Sequence, residues 1–211
     1  MEETLAPRAK LRDRLRDQVH AAILDAAEQV IASQGVEEAH IDAIAVQAGV
    51  SVGTLYNHFG DRDGLVLAVV ERLTSVLQAD LHEVVDAPAL TFQDDLVRFI
   101  TVVAAHTRRH GKFMTVLMDE GPSKRAWTCR RNEHIQQLRW LVARLVGRGT
   151  HDGLLQALPE EVVVAMLMAT VHAAMMSSLR RPDAPLDPEV LVDALLNGIS
   201  GPRAPSTETL S

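Results

Sequence analysis

The sequence predicts an all-α protein of about nine helices, with a small N-terminal domain and a larger C-terminal domain. Hydrophobic residues make up 47% of its 211 residues and aromatic residues only 3%. Ala, Leu, Val and Met dominate this apolar set, and unbranched side chains lose little rotamer freedom in a helix. Apolar residues recur at helical spacing between short Gly and Pro breaks, and no sustained alternating strand pattern appears.

The two ends of the chain do not fit this pattern. We expect residues 1–10 to form a flexible arm and residues 201–211, GPRAPSTETLS, to form a disordered tail. The single cysteine, Cys129, cannot form an internal disulfide, and the N-terminus lacks the basic-then-apolar order of a secretory signal. These features predict a cytoplasmic protein.

One apolar run approaches the length of a membrane span. Val162 to Leu179 contains no formally charged side chain over 18 residues. Thr170, His172 and two serines interrupt it, it is rich in Ala, and no aromatic residues flank it. We therefore expect a helix buried between a core and a subunit partner, and no membrane contact.

The charge balance limits how the chain can bind nucleic acid. The net charge is −7, and residues 1–65 contain six Lys or Arg against eleven Asp or Glu. Indiscriminate binding to nucleic acid depends on neutralising phosphates, so this composition argues against it. Any DNA contact must be local.

The predicted helices follow one another with short connections. The first runs from Arg12 to Gln34, with an apolar face that includes Val19, Ile23 and Val30, and Gly35 ends it. Two short helices come next, and the fourth runs from Asp61 to about Val85. Five further helices are predicted over 92–109, 112–120, 123–146, 159–181 and 187–199. The predicted domains are residues 11–64 and 65–200.

The segment Ile41 to Leu65, IDAIAVQAGVSVGTLYNHFGDRDGL, is the most informative. Apolar residues at i, i+3, i+4 and i+7 give its first helix one apolar face. Gly49 can adopt positive φ and end this helix, Val50 can fill the corner, and Ser51 can cap the next helix. Two short helices joined by such a corner make a helix-turn-helix.

The helical wheel of the second short helix separates its two faces. Val52, Leu55 and Phe59 fall together on one side and are expected to anchor the helix in the core. The opposite side, offered to a DNA groove, comprises Gly53, Thr54, Tyr56 and Asn57. A glycine allows close approach, Asn and Thr can bond base edges, and the polar tips of Tyr56 and His58 suit phosphates.

Two basic features flank this motif. Arg62 begins the fourth helix, where the helix dipole disfavours a cation, so a DNA phosphate or a neighbouring aspartate would stabilise it. Arg8 to Arg16 is either a basic arm that reaches the DNA backbone or a solvated flank.

The stretch AHIDAIAVQAGVSVGTLYNHFGDRDGLVLAVV resembles the signature of the TetR family of bacterial regulators. The detailed resemblance covers about Val19 to Leu73. It implies DNA contacts from these positions: Ser51, Val52, Gly53, Thr54, Tyr56, Asn57, His58 and Arg62. Two departures stand out, because His40 and Ile41 occupy positions where the family usually has Thr, and Gly64 replaces a better helix former.

A dimer is expected, because one short recognition helix reads too few base pairs and a two-fold axis places a second helix about 34 Å away. The last two helices carry apolar stripes that suit a four-helix bundle across such an axis, and the resemblance implies the same place. The residues of these stripes are Val163, Leu167, Thr170, Ala174, Leu191, Leu195 and Ile199. The alternative is that they only close the core of one chain.

The middle helices are expected to enclose a small-molecule effector. Their methionines suit an adaptable apolar pocket, the tryptophans can stack on a flat ligand, and histidines can orient it. The candidate residues are His106, Met114, Met118, Trp127, Trp140, Met168 and His172. His106 and His110 have metal-ligand spacing, but two solvated histidines are the better interpretation, and no metal site is predicted.

The function that these patterns favour is a transcription repressor that binds a palindromic operator as a homodimer and is released by a small molecule. The alternative is a ligand-independent regulator or activator of the same fold. An enzyme is not expected, because no Gly-rich phosphate loop, nucleophile elbow or metalloprotease helix appears, and no cofactor is predicted.

Overall fold

The computed structural model describes the backbone of residues 5–120, 124–151 and 158–198, and the side chains of 11–116, 132–151 and 158–198. In these ranges the chain forms eight helices and no strand, which confirms the all-α class. The helices are α1 Leu5–Gln34, α2 Ile41–Ala48, α3 Val52–Phe59, α4 Arg62–Asp86, α5 Phe92–Glu120, α6 Lys124–His151, α7 Glu160–Arg180 and α8 Pro188–Asn197.

The number and bounds of the helices differ from the prediction in three places. Gly111 does not end a helix, since α5 continues through it and Thr115 Oγ1 donates to the Gly111 carbonyl at 2.9 Å. α6 likewise runs through Gly147 to His151. A glycine inside a helix costs only about 1 kcal/mol, so good helix formers on both sides override it. α1 begins at Leu5, inside the segment expected to be a flexible arm.

The described residues form two compact units. The first consists of the described parts of Met1–Asp80 and His106–Trp140, and the second of those of Leu81–Ala105 and Leu141–Ser211. The domain bounds expected from the sequence, with a division after residue 64, stay a prediction. Ile199 and the expected tail at 201–211 lie outside the described residues.

The first unit contains a core that fixes α1, α2, α3 and the start of α4. Ile23, Ile44, Leu55 and Leu65, one from each helix, are completely buried in one cluster. Full burial of such a side chain stabilises the fold by about 1.5–3 kcal/mol. The two short helices therefore take their orientation from α1 and α4.

An ionic network joins three helices of this unit at the edge of the core. Arg72 of α4 donates to Asp25 Oδ1 at 2.6 Å and to Glu28 Oε2 at 3.1 Å, both on α1. The other Glu28 oxygen lies 2.5 Å from Nδ1 of His110 on α5. Glu28 thus receives one basic side chain from each of two helices.

The second unit is built around a buried carboxylate and the apolar side of α7. Asp95 is 4% exposed and accepts the Ala89 amide at 2.8 Å, and its other oxygen faces Arg148 Nη2 at 3.4 Å. On α7 the buried side chains recur at helical spacing and comprise Val163, Val164, Leu167, Val171, Ala174 and Ser178. Sequence analysis did not identify Asp95 as a buried residue.

α7 is the one helix of the described ranges that is long and apolar enough to cross a membrane by length and composition. One third (33%) of the apolar stretch of this helix is buried inside the chain. A helix that packs on a core can have the same length and apolar composition. The buried stripe of α7 makes such a contact.

Candidate nucleic-acid interface

The turn between α2 and α3 has the backbone that the sequence predicts. Gly49 adopts the left-handed conformation, with φ 69° and ψ 30°. Its amide donates to the Val46 carbonyl at 3.1 Å, and the Val50 amide donates to the Ala45 carbonyl at 3.0 Å. These two bonds make a Schellman ending, and Val50 packs half-buried against the core. The turn therefore sets the angle at which α3 leaves α2.

The two short helices begin differently. Ser51 caps α3, because its Oγ accepts the Thr54 amide at 3.1 Å. The same Oγ lies 2.8 Å from the Thr54 hydroxyl, so that hydroxyl is engaged with the cap. At the start of α2, His40 occupies the capping position without a side-chain hydrogen bond.

α3 separates a buried face from an exposed one. Leu55 is 0% exposed, and Val52 and Phe59 pack partly buried against the same core. On the other face Gly53 and Asn57 are exposed, and Tyr56 is 46% exposed. Thr54 and His58 are half-buried. Three side chains thus hold the helix, and a short polar surface stays open to a partner.

Gly53 has no packing role against the residues that the structure describes. A Cβ added there would lie 3.8 Å from Ser51 Oγ, an ordinary contact, and would meet no other atom within 4 Å. The fold therefore does not require glycine at this position. A glycine on an exposed helix face does allow another backbone to approach closely.

The junction between α3 and α4 explains Gly64, which departs from the family pattern. A Cβ at Gly64 would lie 2.3 Å from the Phe59 carbonyl oxygen, closer than real Cβ atoms come to backbone. The Gly64 amide also donates to Asp61 Oδ1 at 2.7 Å, so Asp61 caps α4. Gly60, with φ 78°, completes this tight turn. Sequence reasoning missed the requirement, because it arises from a contact between two helices.

Arg62 lies half-buried at the start of α4. Its Nη2 is buried and has no hydrogen-bond partner among the described residues. The aspartate partner considered from the sequence is therefore not seen for this atom, and the phosphate contact stays a prediction.

His20 of α1 packs at the C-terminal end of α3. Its ring centroid lies 4.6 Å from that of Phe59 and 5.7 Å from that of His58. Burial lowers the pKa of His20, and the neighbouring His58 lowers it further. Sequence reasoning did not connect α1 with this end of α3, since no local pattern shows which distant residues meet.

The candidate effector residues are divided between the two units and the part of the chain whose side chains are not described. Met114 packs against the core of the first unit, and Trp140 in the same unit is 53% exposed. Met168 is half-buried and His172 exposed in the second unit. The side chains of Met118 and Trp127 lie outside the described residues. The effector site stays a prediction.

His106, also a candidate, is half-buried beside His110, with 4.7 Å between ring centroids. Burial lowers the pKa of His106 to about 4, and His110 adds to the effect. No group of three or more His, Cys, Asp or Glu side chains with a geometry for metal occurs within the residues described.

The residues expected at a dimer interface divide into two groups. Val163, Leu167 and Ala174 are buried in the chain's own core, which leaves little of their surface for a partner. Thr170, Leu191 and Leu195 are half-buried, and Ile199 is outside the described residues. The large apolar side chains that the described parts of α7 and α8 expose are Val162, Met166 and Val190.

The fold and the turn between α2 and α3 define a helix-turn-helix protein. Residues 23–69 match the model of the bacterial regulatory proteins of the tetR family. TtgW of Pseudomonas putida, described as an uncharacterized HTH-type transcriptional regulator, is 30% identical over 101 residues, which is 47% of this chain and 72% of TtgW. The chain belongs to the TetR family of DNA-binding transcription regulators.

Other similar proteins agree with this family. The HTH-type transcriptional repressor Rv3405c of Mycobacterium tuberculosis is 38% identical over 89 residues. That match covers 42% of this chain and 46% of the relative, so the chain matches less than half of the relative's length. The structure of FadR from Bacillus subtilis in complex with stearoyl-CoA has a TM-score of 0.68 at 19% identity, covering 84% of this chain and 95% of FadR. The last likeness shows the fold.

Proposed function

We propose that this protein is a repressor that binds a palindromic operator as a homodimer and is released by a small-molecule effector. The observation that carries the proposal is the orientation of α3, which buries Leu55 and exposes Gly53, Tyr56 and Asn57. Asn can bond an adenine edge with both its donor and its acceptor, and Tyr can bond a phosphate. Repression is supported by the relative Rv3405c, which is described as a transcriptional repressor.

Dimerisation is supported by the exposed apolar side of α7. Val162 and Met166 are four residues apart and are 42% and 43% exposed, and Val190 of α8 is exposed as well. Neighbouring exposed alanines, Ala165 and Ala169, would let a second helix approach closely. The proposed interface therefore uses this exposed side and not the buried stripe.

The proposed operator contact is tested by selection from a pool of random-sequence duplexes with the purified full-length protein. A palindrome with two half-sites about one helical turn apart is expected. Selection of no sequence, or of a single unrepeated half-site, would contradict the proposal.

The proposed reading face is tested on the selected duplex. Asn57→Ala and Tyr56→Ala should each weaken binding by about 1–3 kcal/mol for a symmetric pair of contacts. Asn132→Ala, at an exposed asparagine of α6, is the matched control and should bind like the wild type. Arg62→Ala should chiefly reduce the salt dependence of binding.

Release by an effector is tested by screening small molecules against the complex of protein and selected duplex. Stearoyl-CoA, present in the FadR structure, is one probe of the set. Release by one compound, reversed on its dilution, supports the proposal. If no metabolite releases the duplex, the ligand-independent alternative replaces it.

A further inference from the structure

The positive charge of the N-terminal region is concentrated on one helix. Of the six Lys and Arg in residues 1–65, five lie between Arg8 and Arg16, whereas the acidic residues are spread over the whole segment. These five belong to α1, which begins at Leu5. Phosphate contacts supply a large share of DNA affinity, so a protein with a net charge of −7 needs local basic groups near its reading surface.

The arginines of α1 fall on two different faces. Arg12, Arg16 and His20 follow at four-residue steps, and at about 100° per residue each step shifts the position by only about 40°. Ile23 and Ala27, both 0% exposed, continue this stripe into the core. The face of α1 that packs on the helix-turn-helix therefore carries Arg16 and Arg12 where it extends beyond the core.

His20 fixes where this stripe lies. Its ring contacts His58 and Phe59, which immediately follow Asn57 on α3. Arg16 is one turn from His20, and its charge contributes to lowering the pKa of the His20 ring. The stripe therefore passes the end of the surface that faces the proposed operator.

Arg12 and Arg16 are exposed and form no hydrogen bond or ion pair with any residue that the structure describes. Two acidic residues, Asp13 and Asp17, are exposed beside them and oppose an anionic partner. Arg14 is also exposed, and two residues from Arg16 it lies about 160° away around the helix. Arg16 is therefore the position to test, and Arg14, on the other face of the same helix, is its control.

We propose that Arg16 and Arg12 bind backbone phosphates of the operator beside the bases read by α3. This inference rests on the proposed function, because it adds phosphate contacts to the same DNA complex. The contacts are independent of sequence, so they strengthen binding and fix the position of the reading helix without changing base preference.

The test measures affinity for the selected duplex over a range of KCl concentrations. Each phosphate contact contributes about 0.9 to the slope of log affinity against log salt. Arg16→Gln, which removes one contact per subunit, should lower the slope by about 2 for the dimer and weaken binding several-fold at low salt. Arg14→Gln should match the wild type, and selection with Arg16→Gln should return the same palindrome.

A variant whose expected effect on binding is the opposite distinguishes a loss of charge from misfolding. Asp13→Asn removes a negative charge next to the stripe and should tighten binding. If Arg16→Gln and Arg14→Gln behave alike, whether both match the wild type or both lose the same amount, the proposed phosphate contact is overturned while the operator proposal stands. If no duplex is selected at all, the proposed function fails and this inference fails with it.

Discussion

Some residues of α3 pack against the core and others are exposed. Gly53 is the clearest example of an exposed residue without a packing role. The described residues leave space for a Cβ at this position, so none of their contacts accounts for the glycine. The proposed close approach of the helix to DNA would account for it.

Replacing Gly53 by Ala should separate folding from binding. Because Ala is a better helix former, Gly53→Ala should raise the free energy of unfolding by up to about 1 kcal/mol. The same methyl group should weaken operator binding at least tenfold, corresponding to about 1.4 kcal/mol, if the backbone there meets the DNA. Urea denaturation and titration of the selected duplex measure the two effects. Unchanged affinity would show that the helix does not approach DNA at this residue.

His106 should make stability depend on pH. Its pKa is lowered from 6.5 to about 4 in the folded chain, chiefly by burial. The unfolded chain therefore takes up a proton near pH 6.5 that the folded chain resists until near pH 4. The contribution of this group to stability is complete above pH 6.5 and is lost as the pH falls from 6.5 to 4.

The corresponding measurement is urea unfolding at several pH values for the wild type and His106→Gln. On acidification, His106→Gln should lose less of its free energy of unfolding than the wild type, by about 1–2 kcal/mol. The difference is no larger because water still reaches part of the His106 ring in the folded chain. His172→Gln, at an exposed histidine, is the control. If the free energy of unfolding fell equally with pH in the wild type and His106→Gln, the proposed role of His106 in the pH dependence would be contradicted.

Much of the candidate site can be predicted from the sequence, because the positions of Leu55, Ser51 and Gly49 depend on local helix rules. His20 and Asp95 do not follow. Their surroundings come from helices far along the chain, and periodicity carries no information about which distant faces meet.

The connection between α3 and α4 shows how one element orients another. Gly64 brings the first turn of α4 against the Phe59 carbonyl, and Asp61 caps α4 at the same point. The end of the reading helix is therefore fixed by backbone contacts as well as by the core.

Gly64→Ala should destabilise the protein by about 1–3 kcal/mol, because the Cβ must displace a backbone carbonyl. It should also weaken operator binding by shifting the end of α3. Gly147→Ala is the control, since that glycine lies inside α6 with nothing within 4 Å of a Cβ. This second variant should be neutral or stabilising by up to about 1 kcal/mol. Equal melting temperatures for the two variants would refute the close approach.

The residues at which helices begin and end could be predicted from the sequence only in part. The short helices of the motif are bounded by a left-handed glycine and a serine cap, and the structure confirms both. The expected break at Gly111 is wrong, because a glycine stops a helix only where the backbone must turn and here it does not.

In the whole molecule, recognition of a palindrome requires two copies of α3 on one DNA. The exposed apolar side of α7 is the proposed contact between subunits, and a buried charge there would be costly. Met166→Glu should therefore convert a dimer into a monomer and reduce operator affinity, as measured by sedimentation and DNA titration.

Leu90→Glu is the control for that substitution, because Leu90 is fully exposed in the connection between α4 and α5. It should leave the dimer intact. Sedimentation of Met166→Glu as a dimer would place the subunit contact elsewhere.

We expect Asn57, on the exposed face of α3, to contact bases of the operator. The most direct measurement repeats the duplex selection with Asn57→Ala and compares base preferences position by position with those of the wild type. The same palindrome is expected, with the base preference lost at one symmetric pair of positions. A palindrome with every base preference unchanged would contradict it.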